Sequence, residues 1–302
     1  MTSNITTVGV DVGGTSTRVG MVDADGHVGV VAASATPRGA EAVTRHLVAE
    51  IGAVIDRSGT EPGAIAIGIP GRVDPSTGTV ALAVNLGIEE PLLLGPAVAA
   101  ALGRPVVVGN DVDVAAVGAH EQLGGGTESL VYFNIGTGFA AGLVLDGRLH
   151  RGVGGAGEIG HLPVPGGRQR CRCGQIGCAE TLASGRSMLR AWGHPESDLE
   201  ELWNAADDGE DLAVTIRDAA LDTIAWLAQC TVMMLDVERI VIGGGVSRLG
   251  TRLLDPLLTR LLRQADASPL LPTYALTDRV RLADPDVEYG VRGAAVIARE
   301  SI

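Results

Sequence analysis

Apolar residues along this chain follow two rhythms: short runs that end in glycine-rich turns, and longer stretches with helical spacing. Residues 7–12, Thr-Val-Gly-Val-Asp11-Val, read as a buried strand that turns through Gly13-Gly14-Thr15-Ser16-Thr17. The chain returns through residues 18–23 to a second turn at Asp25-Gly26. The same order recurs later. A strand over 130–135 runs into Gly136-Thr137-Gly138, continues as Phe139-Ala140-Ala141-Gly142, resumes as a strand at Leu143 and turns at Asp146-Gly147. Turn chemistry repeats here as well as hydrophobicity, which marks a weak internal duplication. Between the copies, Val43, Leu47, Ile51, Val54 and Ile55 share one face of a helix over 40–57. A strand over 64–69 ends in Pro70-Gly71-Arg72-Val73-Asp74, and residues 80–86 are extended. A helix over 91–102 precedes a strand over 105–108 that ends in Gly109-Asn110-Asp111, with a helix over 112–120 beyond it. In the second half the pattern predicts helices over 182–192, 198–206 and 212–235. A strand over 239–242, a helix over 249–264 and a closing helix from Tyr289 complete the chain. The 212–235 helix is apolar on most faces and reads as buried, with Cys230 part of the core.

The strand ends carry the candidate chemistry. A turn such as Gly13-Gly14-Thr15 points successive N–H groups and a hydroxyl at one spot, and Asp11 beside it can hold a magnesium ion through water. An ordinary tight hairpin would look the same. Two such turns, however, suggest two lobes that each offer an anion nest to one ligand. Asp111 stands where a parallel strand gives way to a helix, the position at which α/β folds place their chemistry. It could equally be the cap of that helix. Gly243-Gly244-Gly245 would let a flat base or ribose lie against the backbone.

Composition narrows the field. The chain has 302 residues, enough for two domains, and only 3% are aromatic, so its core is aliphatic and alanine-rich. It contains no lysine; all 23 basic residues are arginine. That excludes a Walker-type nucleotide loop, a Schiff-base lysine and a protein-kinase lysine. Any bound phosphate must be held by backbone amides, a metal ion or arginine. A net charge of −13 argues against nucleic acid and anionic membranes as partners. The most apolar stretch, 214–235, is interrupted by Arg217, Asp218 and Asp222 and does not read as a membrane span. The first residues lack a charged segment followed by an apolar one, so a cytoplasmic protein with reduced thiols is expected.

Three of the four cysteines, Cys171, Cys173 and Cys178, fall within eight residues, and His161 lies ten residues before the first. Gly174 and Gly177 permit the tight reversal that would bring three sulfurs and one nitrogen onto a single ion, a closed structural zinc site. A disulfide or buried free thiols are the alternatives. Glu158 and Glu180 flank the cluster, and a knot that fixes the backbone would fix these acceptors too. A plain zinc-binding interaction module would leave Asp11, Asp111 and the repeated turns without a purpose.

Taken in order, Asp11-Val-Gly13-Gly14-Thr15, Gly71-Arg72-Val73-Asp74, Gly109-Asn110-Asp111, Gly136-Thr137-Gly138, Glu158-Ile-Gly-His161, the cysteine cluster with Glu180, and Gly243-Gly244-Gly245 resemble the ROK-family sugar kinases over nearly the whole chain. The resemblance implies the two-lobe actin–hexokinase α/β fold, with a duplicated βββαβα core and a structural zinc site. It implies a small lobe over 1–115, completed by the helix from about 289–302, and a large lobe over 116–288 with the zinc motif. It implies ATP-dependent phosphorylation of a neutral hexose, glucose to glucose 6-phosphate, by a homodimer. Asp111 resembles the general base, and Asn110, Glu158, His161 and Glu180 resemble the groups that hold the other hydroxyls. Gly71 resembles a backbone contact to the sugar. Asp11, Gly13, Gly14 and Thr15, with Gly136, Thr137 and Gly138, resemble the phosphate turns that work with Mg2+, and Gly243 to Gly245 the adenosine side. His161 with Cys171, Cys173 and Cys178 resembles the Zn2+ ligand set. Sugar-sensing repressors in the family carry an added N-terminal helix-turn-helix segment, for which this chain leaves no room. A catalytically weak sugar-binding member on the same fold is the second reading, distinguished by binding sugar without consuming ATP. Three stretches depart from the kinase pattern. Phe139-Ala140-Ala141 stands where more glycines are usual, a bulkier approach to phosphate. Asp113 places an extra carboxylate two residues from the base, where it would repel phosphate or raise the base's pKa if it faced the ligand. Ile88 follows Asn85-Leu86-Gly87 where an aromatic is common.

Overall fold

A computed structural model describes residues 6–266 and 268–301. The chain forms two compact units. One comprises the chain up to Gly126, Gly147–Ala156 and the segment from Val287 on; the other comprises Thr127–Asp146 and Gly157–Asp286.

In the first unit the strands are β1 (Thr7–Val12), β2 (Ser16–Val22), β3 (Val28–Ala35), β4 (Ala64–Ile69), β5 (Arg72–Asp74), β6 (Thr79–Ala81), β7 (Leu92–Leu93) and β8 (Val106–Asn110). The main sheet runs β3–β2–β1–β4–β8, and β5–β6–β7 form a small sheet of their own. β1 pairs antiparallel with β2 and parallel with β4, which pairs parallel with β8. Strand alternation sorts large residues from small ones. Val8, Val10 and Val12 of β1, with Ile65, Ile67 and Ile69 of β4, pack with Val43, Leu47, Ile51 and Val54 of the helix Ala40–Ser58. The intervening residues are small: Ala64 and Ala66 cluster with Val114, Ala294 and Ala298. Gly9 lies so close to the helix Tyr289–Glu300 that a Cβ there would be 2.0 Å from the Val291 carbonyl oxygen. Thus Asp11, next on that face, is delivered to the N-terminal turn of the same helix. This helix also crosses Asp111–Gln122 through glycines, since a Cβ on Gly293 would be 1.8 Å from the Val114 carbonyl oxygen.

In the second unit the strands are β9 (Leu130–Ile135), β10 (Phe139–Leu145), β11 (Arg148–Leu149, whose residues group with the first unit), β12 (Arg239–Gly243) and β13 (Val280–Leu282). The order is β11–β10–β9–β12–β13, with β9–β10 antiparallel and β9–β12–β13 parallel. The core gathers Phe133, Ile135, Trp203, Leu221, Ile224 and Leu257 from strands and helices.

Several expectations change. The helix expected over 182–192 is broken at Ser184, whose hydroxyl caps Gly185–Trp192 by accepting from the Ser187 N–H at 3.3 Å. The extended stretch over 80–86 is a strand only to Ala81, then a 3-10 turn over Val84–Leu86. The helix expected from residue 91 begins at Leu94, and the one expected from 249 begins at Thr251. The long helix Asp211–Leu235 is not buried to its end: Met233, Met234 and Leu235 are exposed, and Cys230 is half-buried. β3 and β13 were not foreseen. The lobe boundary expected at 115 falls inside the helix Asp111–Gln122, which stays whole in the first unit.

Candidate active site

β8 hands over to its helix at Asn110, and the division of labour there differs from the sequence reading. Asn110 is the N-cap. Its Oδ1 accepts from the N–H groups of Val112 at 2.9 Å and Asp113 at 3.2 Å, while its Nδ2 donates to the Gly71 carbonyl at 3.1 Å. One Nδ2 hydrogen is left for a ligand. The cap role that sequence allowed to Asp111 therefore belongs to its neighbour. Asp111 is the first residue of the helix, half-buried. Its pKa is pushed up to about 7, first by burial, then by the charge of Asp11 and last by that of Asp113, against the pull of the Val112 and Asp111 N–H groups. Gly71 has a φ of 109°, and a Cβ there would meet the Ala81 carbonyl oxygen at 2.8 Å, so only glycine fits beneath the Asn110 amide.

Asp11 is raised to about 6 by burial, with Arg18 pulling it down and Glu288 pushing it up. Arg18 and Glu288 also pair with each other at 3.4 Å. The Asp11 carboxylate rests against Gly290, where a Cβ would be 2.6 Å from Oδ2. Asp11 ionises first, and its charge keeps Asp111 protonated to a higher pH. Beside it the Gly13 N–H donates to the Ser16 carbonyl at 2.8 Å, and Gly14 and Thr15 are exposed.

The second glycine turn is tighter than expected. It spans only Gly136 to Gly138, with the Gly136 N–H donating to the Gly138 carbonyl at 3.0 Å. Phe139 already belongs to β10, and its ring packs edge-on to Phe133 at 5.6 Å in the core. Phe139 and Ala141 are buried and face inward, and the half-buried Ala140 between them adds only a methyl group on the other face. Glu180 is tied to the same turn: its Oε2 accepts from the Phe139 N–H at 3.1 Å and sits 2.9 Å from where a Gly138 Cβ would be. The three glycines after β12 are not equivalent. A Cβ on Gly243 would overlap the Tyr132 hydroxyl, and Gly244 has a φ of 77° and abuts the Ile135 carbonyl, so packing explains both. Only Gly245 has an open face, with its N–H 3.8 Å from the Cβ position of Gly136.

Glu158 precedes a 3-10 turn, Ile159–His161, and is largely exposed. His161 faces two ways: Nδ1 lies 3.7 Å from Cys171 Sγ, and Nε2 lies 3.9 Å from Glu158 Oε2. Cys173 and Cys178 Sγ are 3.6 Å apart, all four cysteines are free, and the four candidate ligand atoms lie within 4.8 Å of one another. Gly174 and Gly177, with φ of 97° and 84°, make the reversal. The Gln175 N–H, then its side-chain amide, hold the Cys173 thiol down to about 6, whereas burial pushes Cys178 up to about 12. Asp113 pairs with Arg151 at 3.5 Å. No motif or spacing in the sequence announced Arg151.

Residues 7–301 match the ROK family. The chain belongs to that family. It is 32% identical to a glucokinase of Thermotoga maritima over 98% of both chains. Among solved structures, a ROK hexokinase from Thermus thermophilus superposes with a TM-score of 0.83 at 29% identity, covering 98% of this chain and 99% of the other. A ROK glucokinase from Streptomyces griseus, in complex with glucose and AMPPNP, gives 0.81 at 30% identity over 98% and 99% of the two chains. The fold of this ROK protein is accordingly the mixed α/β fold of the actin–hexokinase type.

Proposed function

We propose that this ROK protein is an ATP-dependent sugar kinase that converts glucose to glucose 6-phosphate. The observation that carries this reading is Asp111: Asn110 takes over the capping, which leaves a carboxylate at the strand end with a pKa near neutrality. A general base works best with its pKa near the operating pH. Asp111 accepts the proton of the sugar hydroxyl as that oxygen bonds to the γ-phosphorus, and the bond from phosphorus to the β,γ-bridging oxygen breaks to release ADP. Relatives named glucokinase and the Streptomyces griseus complex support the substrate pair.

In the same reading Glu158, His161, Glu180, the free N–H of Asn110 and the backbone at Gly71 hold the remaining hydroxyls. A sugar offers donors without charge, so carboxylates suit it. The turns at Gly13 to Thr15 and Gly136 to Gly138 take the phosphates, and Gly245 lies against the adenosine. Mg2+ supplies charge neutralisation at the phosphates, and Asp11, ionised above about pH 6, is the residue to hold its water shell. Zinc fits the cysteine cluster. A tetrahedron with Zn–S bonds of roughly 2.3 Å and a Zn–N bond of roughly 2.0 Å has S···S edges of about 3.8 Å and S···N edges of about 3.5 Å, near the 3.6 Å between the Cys173 and Cys178 sulfurs and the 3.7 Å from Cys171 Sγ to His161 Nδ1. The two units are the two lobes, and their sheets, each led by an antiparallel hairpin with a glycine turn, are copies of one core. The homodimer and the cytoplasmic location rest on the family resemblance and the sequence. Among the described residues, no helix is long and apolar enough to cross a membrane.

The test is Asp111→Asn. It keeps size and hydrogen bonding but cannot take a proton, so kcat falls by roughly 10²–10⁴-fold while glucose affinity measured by titration holds. Full turnover in the variant would remove Asp111 from the chemistry.

A further inference from the structure

Other segments of the same unit close on the turn Gly136–Gly138. Gly245 approaches it from the end of β12, and Gly185 from the start of the helix Gly185–Trp192. The Gly185 N–H donates to the Gly136 carbonyl at 2.8 Å, and a Cβ on Gly185 would stand 3.1 Å from that oxygen. The next residue on the helix is Arg186, half-buried. Arg217, Arg252, Arg260 and Arg279 of this unit each end on an aspartate, at 2.7–3.1 Å. The Arg186 guanidinium has no ion pair and no hydrogen bond among the described residues. Arg190 lies one turn along the helix and Arg172 sits in the cysteine knot, and among the described residues neither has an ion pair either. Burial first, then the charges of Arg172 and Arg190, push the Arg186 pKa below its ordinary value, and only Glu180 pulls the other way. Glu180 lies beyond ion-pair reach and its Oε2 is engaged by the Phe139 N–H. In a chain of net charge −13, three arginines thus stand together without a counter-charge. Arginine does not shed its proton near neutral pH, so only an anion from outside relieves them.

We propose that Arg186 binds the phosphates of the nucleotide at the Gly136–Gly138 turn, with Arg190 and Arg172 strengthening its field. This rests on the ATP-dependent reading above and names the cation that a chain without lysine must take from arginine. A guanidinium presents its N–H groups as a fork that matches two phosphate oxygens at once. In the same reading the adenosine lies at Gly245, on the other side of Gly136, so base and phosphates are met by residues of a single unit. The charge of Arg186 serves the phosphates and not the nucleoside, and its effect weakens as salt screens it.

The experiment is calorimetric titration of the full chain, without sugar, with adenosine, ADP, ATP and inorganic triphosphate. The parent is compared with Arg186→Ala, Arg186→Gln and Arg186→Lys. ATP affinity is expected to fall about tenfold or more in the alanine and glutamine variants, the range for losing a charged hydrogen bond. Adenosine affinity holds at the parent value, and the ATP difference shrinks as salt is raised. Lysine, which keeps the charge without the fork, restores part of the loss. Two neutral variants and the adenosine control separate a lost contact from a lost fold. Should the parent bind no ATP, the kinase reading fails and inorganic triphosphate decides the arginine: the parent should bind it about tenfold or more tighter than Arg186→Ala does. Equal ATP affinity in parent and variants, an equal loss for adenosine and ATP, or no triphosphate binding by a parent that binds no ATP would overturn the proposal.

Discussion

Asp111 and Asp11 are carboxylates held where water is scarce, and this has a cost in stability as well as a use. A carboxylate raised from 3.8 to about 7 in the folded chain binds its proton more tightly folded than unfolded. Its contribution to stability is complete below about pH 4 and is lost as pH rises through 7. Asp111→Asn removes that loss. The variant should therefore melt a few degrees above the parent at pH 8 and level with it at pH 4, by calorimetry at both values. Turnover of the parent has the opposite dependence, because only the ionised base accepts a proton: kcat/KM should fall tenfold per unit below about pH 7. A flat profile between pH 5 and 8, or equal melting at both pH values, would mean that the Asp111 carboxyl is not held near neutrality as described. These shifts were beyond the sequence, which shows an acid after an apolar strand and nothing of the Asn110 cap that frees it.

The glycine turns, the two hairpins and the ligand spacing were legible because each is local. φ-positive glycines, strand alternation and Cys-x-Cys spacing all declare themselves within a few residues. The Ser184 break was not legible, since serine inside an apolar helical pattern does not announce a cap. β3 was missed because its alternation is two-sided and small, and β13 because three residues carry too little pattern. The inward direction of Phe139 depends on pairing with Ile135, which the sequence does not show. The Arg151–Asp113 pair joins distant segments, and no period links them. The cysteine knot joins the local to the remote: it carries Glu180 two residues after Cys178, and Glu180 in turn holds the Phe139 N–H. Cys173→Ser should lower zinc content well below one per chain by elemental analysis and weaken glucose binding as well. Intact glucose affinity in a zinc-free variant would show that the knot does not position Glu180.

At the scale of the whole molecule, two units with similar sheet order supply a glycine turn each, and a chain without lysine leaves phosphate to backbone amides, Mg2+ and arginine. The net charge of −13 and the carboxylates proposed to hold the sugar agree with a neutral small substrate. A uronic acid would bring its carboxylate near Glu158 and Glu180 and should be refused. Binding of a hexose by this ROK protein should lead to consumption of ATP, which is read as ADP release across a panel of glucose, mannose, fructose, N-acetylglucosamine, N-acetylmannosamine and glucuronic acid. One ADP is expected per sugar phosphate, fastest with glucose and absent with glucuronic acid; sugar binding with no ADP release from any member of the panel would rule out a kinase.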